Sequence, residues 1–256
     1  MKIGIDAIEM DTPDFYVDLV KLAKVRGDDP NKYTIGIGQD EQAVPPSSQD
    51  IVTLGANAAA KVLTPASRAS LGMILVGTES GVDASKSAAL FIHDLLALPE
   101  WVRAVELKEA CYGGTAALMM ARDYVASHPD KSVLVIAADI ARYGLATAGE
   151  VTQGAGAVAM IVKADPRLLT IEPDSVYRSV SINDFWRPVY QDTALAQGKY
   201  STEQYLAFFK TVWERYQADH HLSAHDFAAM TFHLPYTKMG KKALDLVLPT
   251  TDDASA

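Results

Sequence analysis

Along this chain, short apolar runs alternate with stretches whose apolar positions recur three and four residues apart. Residues 2–6, 73–76 and 104–107 predict strands. Residues 133–138 and 155–162 are apolar runs rich in Val and Ile, the pattern of strands buried on both faces. Helical spacing predicts helices over 15–25, 51–63, 88–98 and 116–126. The first starts from Thr12, Pro13 and Asp14 and stops at Gly27. The second is introduced by Pro45 and Pro46, with Ser47 and Asp50 at capping-box spacing, and Pro99 closes the third. Beyond the proline-marked segment 164–175 lie a long aromatic-rich helix at 201–220, a short strand at 230–234 and a last helix at 238–247. This alternation predicts an α/β fold with a central sheet covered by helices.

Composition narrows the class. The 256 residues are 49% hydrophobic and 21% charged, enough apolar material for a substantial core. A net charge of −9 without a Lys/Arg stripe argues against nucleic acid as a partner. No apolar run has the length of a membrane span, and the N-terminus lacks the basic-then-apolar order of a signal peptide. The single cysteine, Cys111, excludes an intrachain disulfide and a cysteine-rich zinc site. These features fit a cytosolic protein.

Three residues carry candidate chemistry. Cys111 falls between a predicted strand and a predicted helix, beside Gly113 and Gly114. A helix N-terminus favours thiolate, although free cysteines are commonly inert core residues. Glu79 follows the strand 73–76, where open α/β sheets gather ligands; it reads either as a general base or as a solvated loop acid. His233 ends the strand-like run 230–234 and reads as an acid or electrophile, or as a satisfied core histidine. His220, His221 and His225 lack a recognised metal-ligand pattern, so no metal site is expected. The glycines at 36, 38, 154 and 156 form no dinucleotide fingerprint. Lys238, Lys241 and Lys242 share one predicted helix face, either solvated or suited to a phosphate-bearing arm.

Beside these residues stands a series of motifs: IGID, DPNKYTIGIGQ, QDIVTLGANAA, GTESGVDASKSAA, KEACYGGTAAL, ADIARYG, TQGAGAVAMIV, GKYS with QYLAFF, and FHLPYTKMGKKAL. In this order they resemble the bacterial 3-hydroxy-3-methylglutaryl-CoA synthase family of thiolase-like condensing enzymes, from the first residues to about Leu244. The resemblance implies a layered αβαβα fold of two similar halves and a homodimer. Residues 1–165 would form the first half, with Glu79 and Cys111. Residues 166–256 would begin the second, with His233 and the lysines. Because the family continues past the FHLPYTKMGKKAL helix, the second half is expected to be cut short here.

The implied reaction joins acetyl-CoA and acetoacetyl-CoA in the mevalonate route to isoprenoids. Cys111 would accept the acetyl group, Glu79 would remove a proton from its methyl, and His233 would polarise the acetoacetyl-CoA carbonyl. Asp29, Thr152 and Ser201 would contact the acyl portion, and Lys238 and Lys242 would lie along the CoA arm. No cofactor beyond the CoA thioester substrates is implied. Two other readings are a ketoacyl synthase III-like enzyme using acyl carrier protein, and a catalytically silent CoA-binding fragment. The carboxylate in GTESG argues against the first of these.

Overall fold

The computed structural model describes residues 1–248. Its strands are β1 (Ile3–Asp11), β2 (Tyr16–Asp18), β3 (Glu41–Ala43), β4 (Leu71–Gly77), β5 (Arg103–Leu107), β6 (Ser132–Ile140), β7 (Ala155–Ala164), β8 (Leu169–Thr170), β9 (Phe185–Trp186) and β10 (Leu195–Ala196). The α-helices are α1 (Leu19–Arg26), α2 (Ile51–Val62), α3 (Pro65–Ser70), α4 (Ala88–Leu95), α5 (Gly113–Ser127), α6 (Gly198–His220) and α7 (Met239–Val247). The chain forms two compact units, each assembled from separate stretches. The first holds residues 1–17, 41–141 and 153–172; the second holds 18–40, 142–152 and, of the described residues, 173–248.

The first unit is built on a six-stranded sheet of order β5-β4-β6-β7-β1-β8. Strand β4 runs parallel to β5 and β6, while β7 is antiparallel to both β6 and β1. Alternation along β6 explains how both faces are covered. Leu134, Ile136, Ala138 and Ile140 join Ile51, Leu54 and Ala58 of α2 and Ile92 of α4 in one core. Val133 and Val135 point the other way, into a core with Ala117, Ala121 and Val125 of α5. The result is the expected sheet between helical layers, with a mixed rather than a uniform strand direction.

Several elements differ from expectation. The helix predicted over 15–25 is split: β2 comes first, and α1 starts at Leu19 because Asp18 accepts the Lys21 amide at 3.0 Å. Gly27 ends it at φ 74°, as predicted. Helix α2 is capped by Asp50 and Thr53, which exchange side-chain and backbone bonds, and not by Ser47 with Asp50. Helix α5 begins at Gly113, three residues before the predicted start, and α4 ends at Leu95 rather than 98.

In the second unit, residues 230–234 form no strand. They are held by side chains instead: Phe232 packs edge-on to Phe209 of α6 at 5.3 Å, and Leu234 closes on Gly240 of α7. A π-helical segment, Lys32–Ile37, buries Tyr33 against Leu19, Ala23 and Val151. Among the described residues, no helix is long and apolar enough to cross a membrane.

Candidate functional site

Strands β4, β5 and β6 run in the same direction, so the loops after β4 and β5 leave from one end of the sheet. The first carries Glu79 and the second carries Cys111. They begin side by side: Gly77 pairs with Leu107, and the Thr78 amide donates to the Leu107 carbonyl at 3.2 Å. This end of parallel strands is where ligands gather in open α/β sheets.

Small residues bring α5 down onto that end. A methyl group on Gly77 would collide with the Gly113–Gly114 peptide, and one on Gly114 would sit 2.7 Å from Ala137 Cβ. The helix N-terminus therefore lies against the end of β4 with no side chain between. Tyr112 takes the N-cap position of α5 without a side-chain hydrogen bond to the helix, and Cys111 precedes it directly. Cys111 is exposed, not a buried inert thiol. Ala110, just before it, sits at φ 41°, a left-handed conformation that alanine adopts only under constraint. An exposed cysteine just before a helix N-terminus suits thiolate chemistry.

Glu79 is half-buried, and its main chain is held by a residue that sequence reasoning missed. Asp139, near the end of β6, accepts four hydrogen bonds on Oδ1. They come from Glu79 N at 2.8 Å, Thr78 Oγ1 at 3.0 Å, Ser80 N at 3.1 Å and Ser80 Oγ at 2.9 Å. Burial raises the Asp139 pKa from its ordinary value, and these donors oppose that rise without cancelling it. The available signal was an acid inside the apolar run SVLVIAADI, where an unpartnered carboxylate would be costly. No group of three or more metal-ligating side chains occurs among the described residues.

The other candidate residues belong to the second unit. His233 is placed through its backbone: Tyr205 Oη on α6 donates to the His233 carbonyl at 2.9 Å. Thr237 Oγ1 donates to the Gly38 carbonyl at 2.8 Å, fastening the same segment to the 18–40 stretch. The His233 residue is exposed, yet enough protein surrounds its ring to lower the imidazole pKa by burial, favouring the neutral form. Its expected position at a strand end is not observed; an irregular segment carries it.

Asp29 is exposed and accepts the Asn31 amide on Oδ1 at 3.0 Å. Thr152 closes a 3₁₀ turn, donating to the Gly149 carbonyl at 2.9 Å. The stretches carrying these two are joined by a fork between Arg26 and Glu150, with N–O distances of 2.7 and 2.6 Å. The Arg26 guanidinium holds the Glu150 carboxyl below its ordinary pKa. Ser201 lies in the first turn of α6. Lys238 and Lys242 are exposed at α7, but the expected triple cationic face is partly neutralised because Lys241 pairs with Asp245 at 2.8 Å; Lys242 Nζ donates to Tyr236 Oη at 2.9 Å.

Comparison with known proteins follows the same lines. Residues 1–166 match the model of the hydroxymethylglutaryl-coenzyme A synthase N-terminal family. The chain is 50% identical over 244 residues to hydroxymethylglutaryl-CoA synthase of Enterococcus faecalis, spanning 95% of this chain and 64% of that relative. A crystal structure of an HMG-CoA synthase complexed with CoA superposes with a TM-score of 0.95 at 43% identity, covering 97% of this chain and 64% of that one. A structure of MvaS in complex with 3-hydroxy-3-methylglutaryl coenzyme A gives 0.89 at 39% identity, covering all of this chain and 66% of that one. This chain therefore spans just under two thirds of the length of these relatives. With a family model matched over most of its length, the chain belongs to the hydroxymethylglutaryl-CoA synthase family.

Proposed function

We propose that this chain carries the hydroxymethylglutaryl-CoA synthase reaction, condensing acetyl-CoA with acetoacetyl-CoA through an acetyl group held on Cys111. The observation that carries the reading is the delivery of Glu79 and Cys111 by neighbouring parallel strands to one end of one sheet. In the first step the Cys111 thiolate attacks the acetyl thioester carbonyl, and CoA leaves as its thiolate and takes up a proton. Glu79 then removes a proton from the acetyl methyl, and the resulting carbanion adds to the β-carbonyl of acetoacetyl-CoA. Backbone N–H groups at the start of α5 are suited to stabilising negative charge on the thioester oxygen.

His233 polarises the carbonyl under attack as a neutral N–H donor, and the proton that Glu79 took from the methyl group returns to the resulting alkoxide oxygen. Water finally splits the Cys111 thioester, releasing the product carboxylate and regenerating the thiol. Asp29, Thr152 and Ser201 contact the acyl portion, and Lys238 and Lys242 lie along the phosphate-bearing CoA arm. Their local charge counts for more than the net charge of −9. Every step is acyl transfer, proton transfer, carbon–carbon addition or hydrolysis, so the chemistry calls for no redox cofactor. A nucleophilic thiol suits the reducing cytoplasm. A second copy of the chain fits the open β5 edge of the sheet, giving a homodimer.

The decisive experiment is incubation with acetyl-CoA followed by peptide mass spectrometry. An acetyl-sized increase is expected on the Cys111 peptide and should be absent in Cys111→Ala. Acetylation elsewhere, with Cys111 unmodified, would overturn the assignment.

A further inference from the structure

We infer that Glu106 is a positioning residue that ties the Glu79 loop to the strand delivering Cys111. It rests on the reading of Glu79 as base and Cys111 as nucleophile. The segment 78–87 leaves the sheet after β4 and returns as α4. Its beginning is gripped from β6 by Asp139. Its far end is gripped from the opposite neighbour, β5. There Glu106 Oε2 accepts the Ala88 amide, the first of α4, at 2.7 Å. Ser87 Oγ accepts the next, from Ala89, at 3.1 Å.

The other carboxylate oxygen reaches further into the loop. A methyl group on Gly81 would sit only 2.8 Å from Glu106 Oε1, so this oxygen lies directly against the Gly81 backbone. One half-buried carboxylate therefore touches the loop two residues after Glu79 and again where it enters α4. Between these points Asp83 folds the loop on itself, accepting the Ser85 and Lys86 amides at 2.7 Å each. Glu106 is also the residue of β5 that pairs with Val76, five positions before Cys111. A shift of β5 moves the nucleophile and the base loop together, which preserves the spacing that proton abstraction from an acetyl group on Cys111 demands. A negative charge at the N-terminus of α4 is also favoured by the helix dipole.

The test uses the whole chain with Glu106→Gln, which keeps reach and an acceptor oxygen, and Glu106→Ala, which keeps neither. Gly81→Ala displaces the same carboxylate without altering it and guards against a Glu106 variant that fails to fold. Three quantities are measured: amide exchange in peptides covering 78–89, acetylation of Cys111, and deuterium uptake from D2O into the acetyl methyl. Amide exchange should accelerate within 78–89 and stay unchanged in β6. Acetylation should remain near the wild-type extent while methyl exchange slows about tenfold in Glu106→Ala and less in Glu106→Gln. Unchanged methyl exchange in Glu106→Ala and Gly81→Ala overturns the inference, as does equal loss of acetylation and methyl exchange. Methyl exchange that requires Glu79 but not Glu106 overturns the positioning role alone. Methyl exchange that survives Glu79→Ala removes the base assignment, and the positioning role falls with it.

Discussion

Asp139 shows how a single side chain holds the start of the loop that carries Glu79. Its Oδ1 gathers four donors from Thr78, Glu79 and Ser80, yet burial still raises its pKa above the ordinary 3.8. The folded protein then binds this proton more tightly than the unfolded chain does. Stability from this residue is full at low pH and declines as pH rises through the interval between the two pKa values. The substitution Asp139→Asn would keep an acceptor oxygen and remove the charge. The stability difference between Asp139→Asn and wild type should therefore shift in favour of the variant between pH 4 and pH 8. Melting temperatures across that range check it, and a pH-independent difference would show that the charge is not the cause. The residue was hard to foresee because its neighbours in β6 announce a core strand. Cys111 and Glu79 stood out by their glycine-flanked positions after strands, whereas the role of Asp139 depends on a loop some sixty residues away.

At the scale of elements, the docking of α5 on β4 is governed by what is missing from Gly77, Gly113 and Gly114. A methyl group on Gly77 would strike backbone atoms of the helix start, which cannot rotate away as a side chain can. Gly77→Ala should lower stability by about 1–3 kcal/mol, the usual range for overpacking a close contact. Gly154→Ala is the control, since a methyl there meets nothing within 4 Å. Urea unfolding of both variants measures the difference, and equal midpoints would refute the close-packing account. Elements were legible where a local pattern governs them: β6 and β7 by apolar runs, the end of α1 by Gly27. They were misread where tertiary contacts decide. Residues 230–234 alternate like a strand, but they run irregularly, with Phe232 packed on Phe209 and Leu234 against Gly240. In the same way β2 interrupts a helical spacing that runs unbroken from residue 15 in the sequence.

At the scale of the whole molecule, chain order and spatial units part company. The second unit draws in 18–40 and 142–152, with Asp29 and Thr152, from the midst of the first. No periodicity marks such excursions; they follow from long-range ties such as Arg26 to Glu150 and Thr237 to Gly38. The sheet also ends, among the described residues, in two edges of different character. At one edge lies the two-residue β8, at the other the five-residue β5. An edge strand offers unpaired N–H and C=O groups to any second strand, and natural sheets protect such edges with charge or cover them. Here Val105, at the centre of β5, is 46% exposed and Trp101, just before the strand, is 94% exposed. Apolar exposure beside an open edge favours a two-fold pairing of β5 with β5 from a second copy. Val105→Lys places a charge at the middle of that seam on a side chain that already reaches solvent, so the fold of one chain should be little affected. Light scattering coupled to gel filtration should give a dimer mass for wild type and a monomer mass for Val105→Lys, with unchanged circular dichroism. A Val105→Lys variant that stays dimeric would move the interface elsewhere and leave the β5 edge to be covered by another segment.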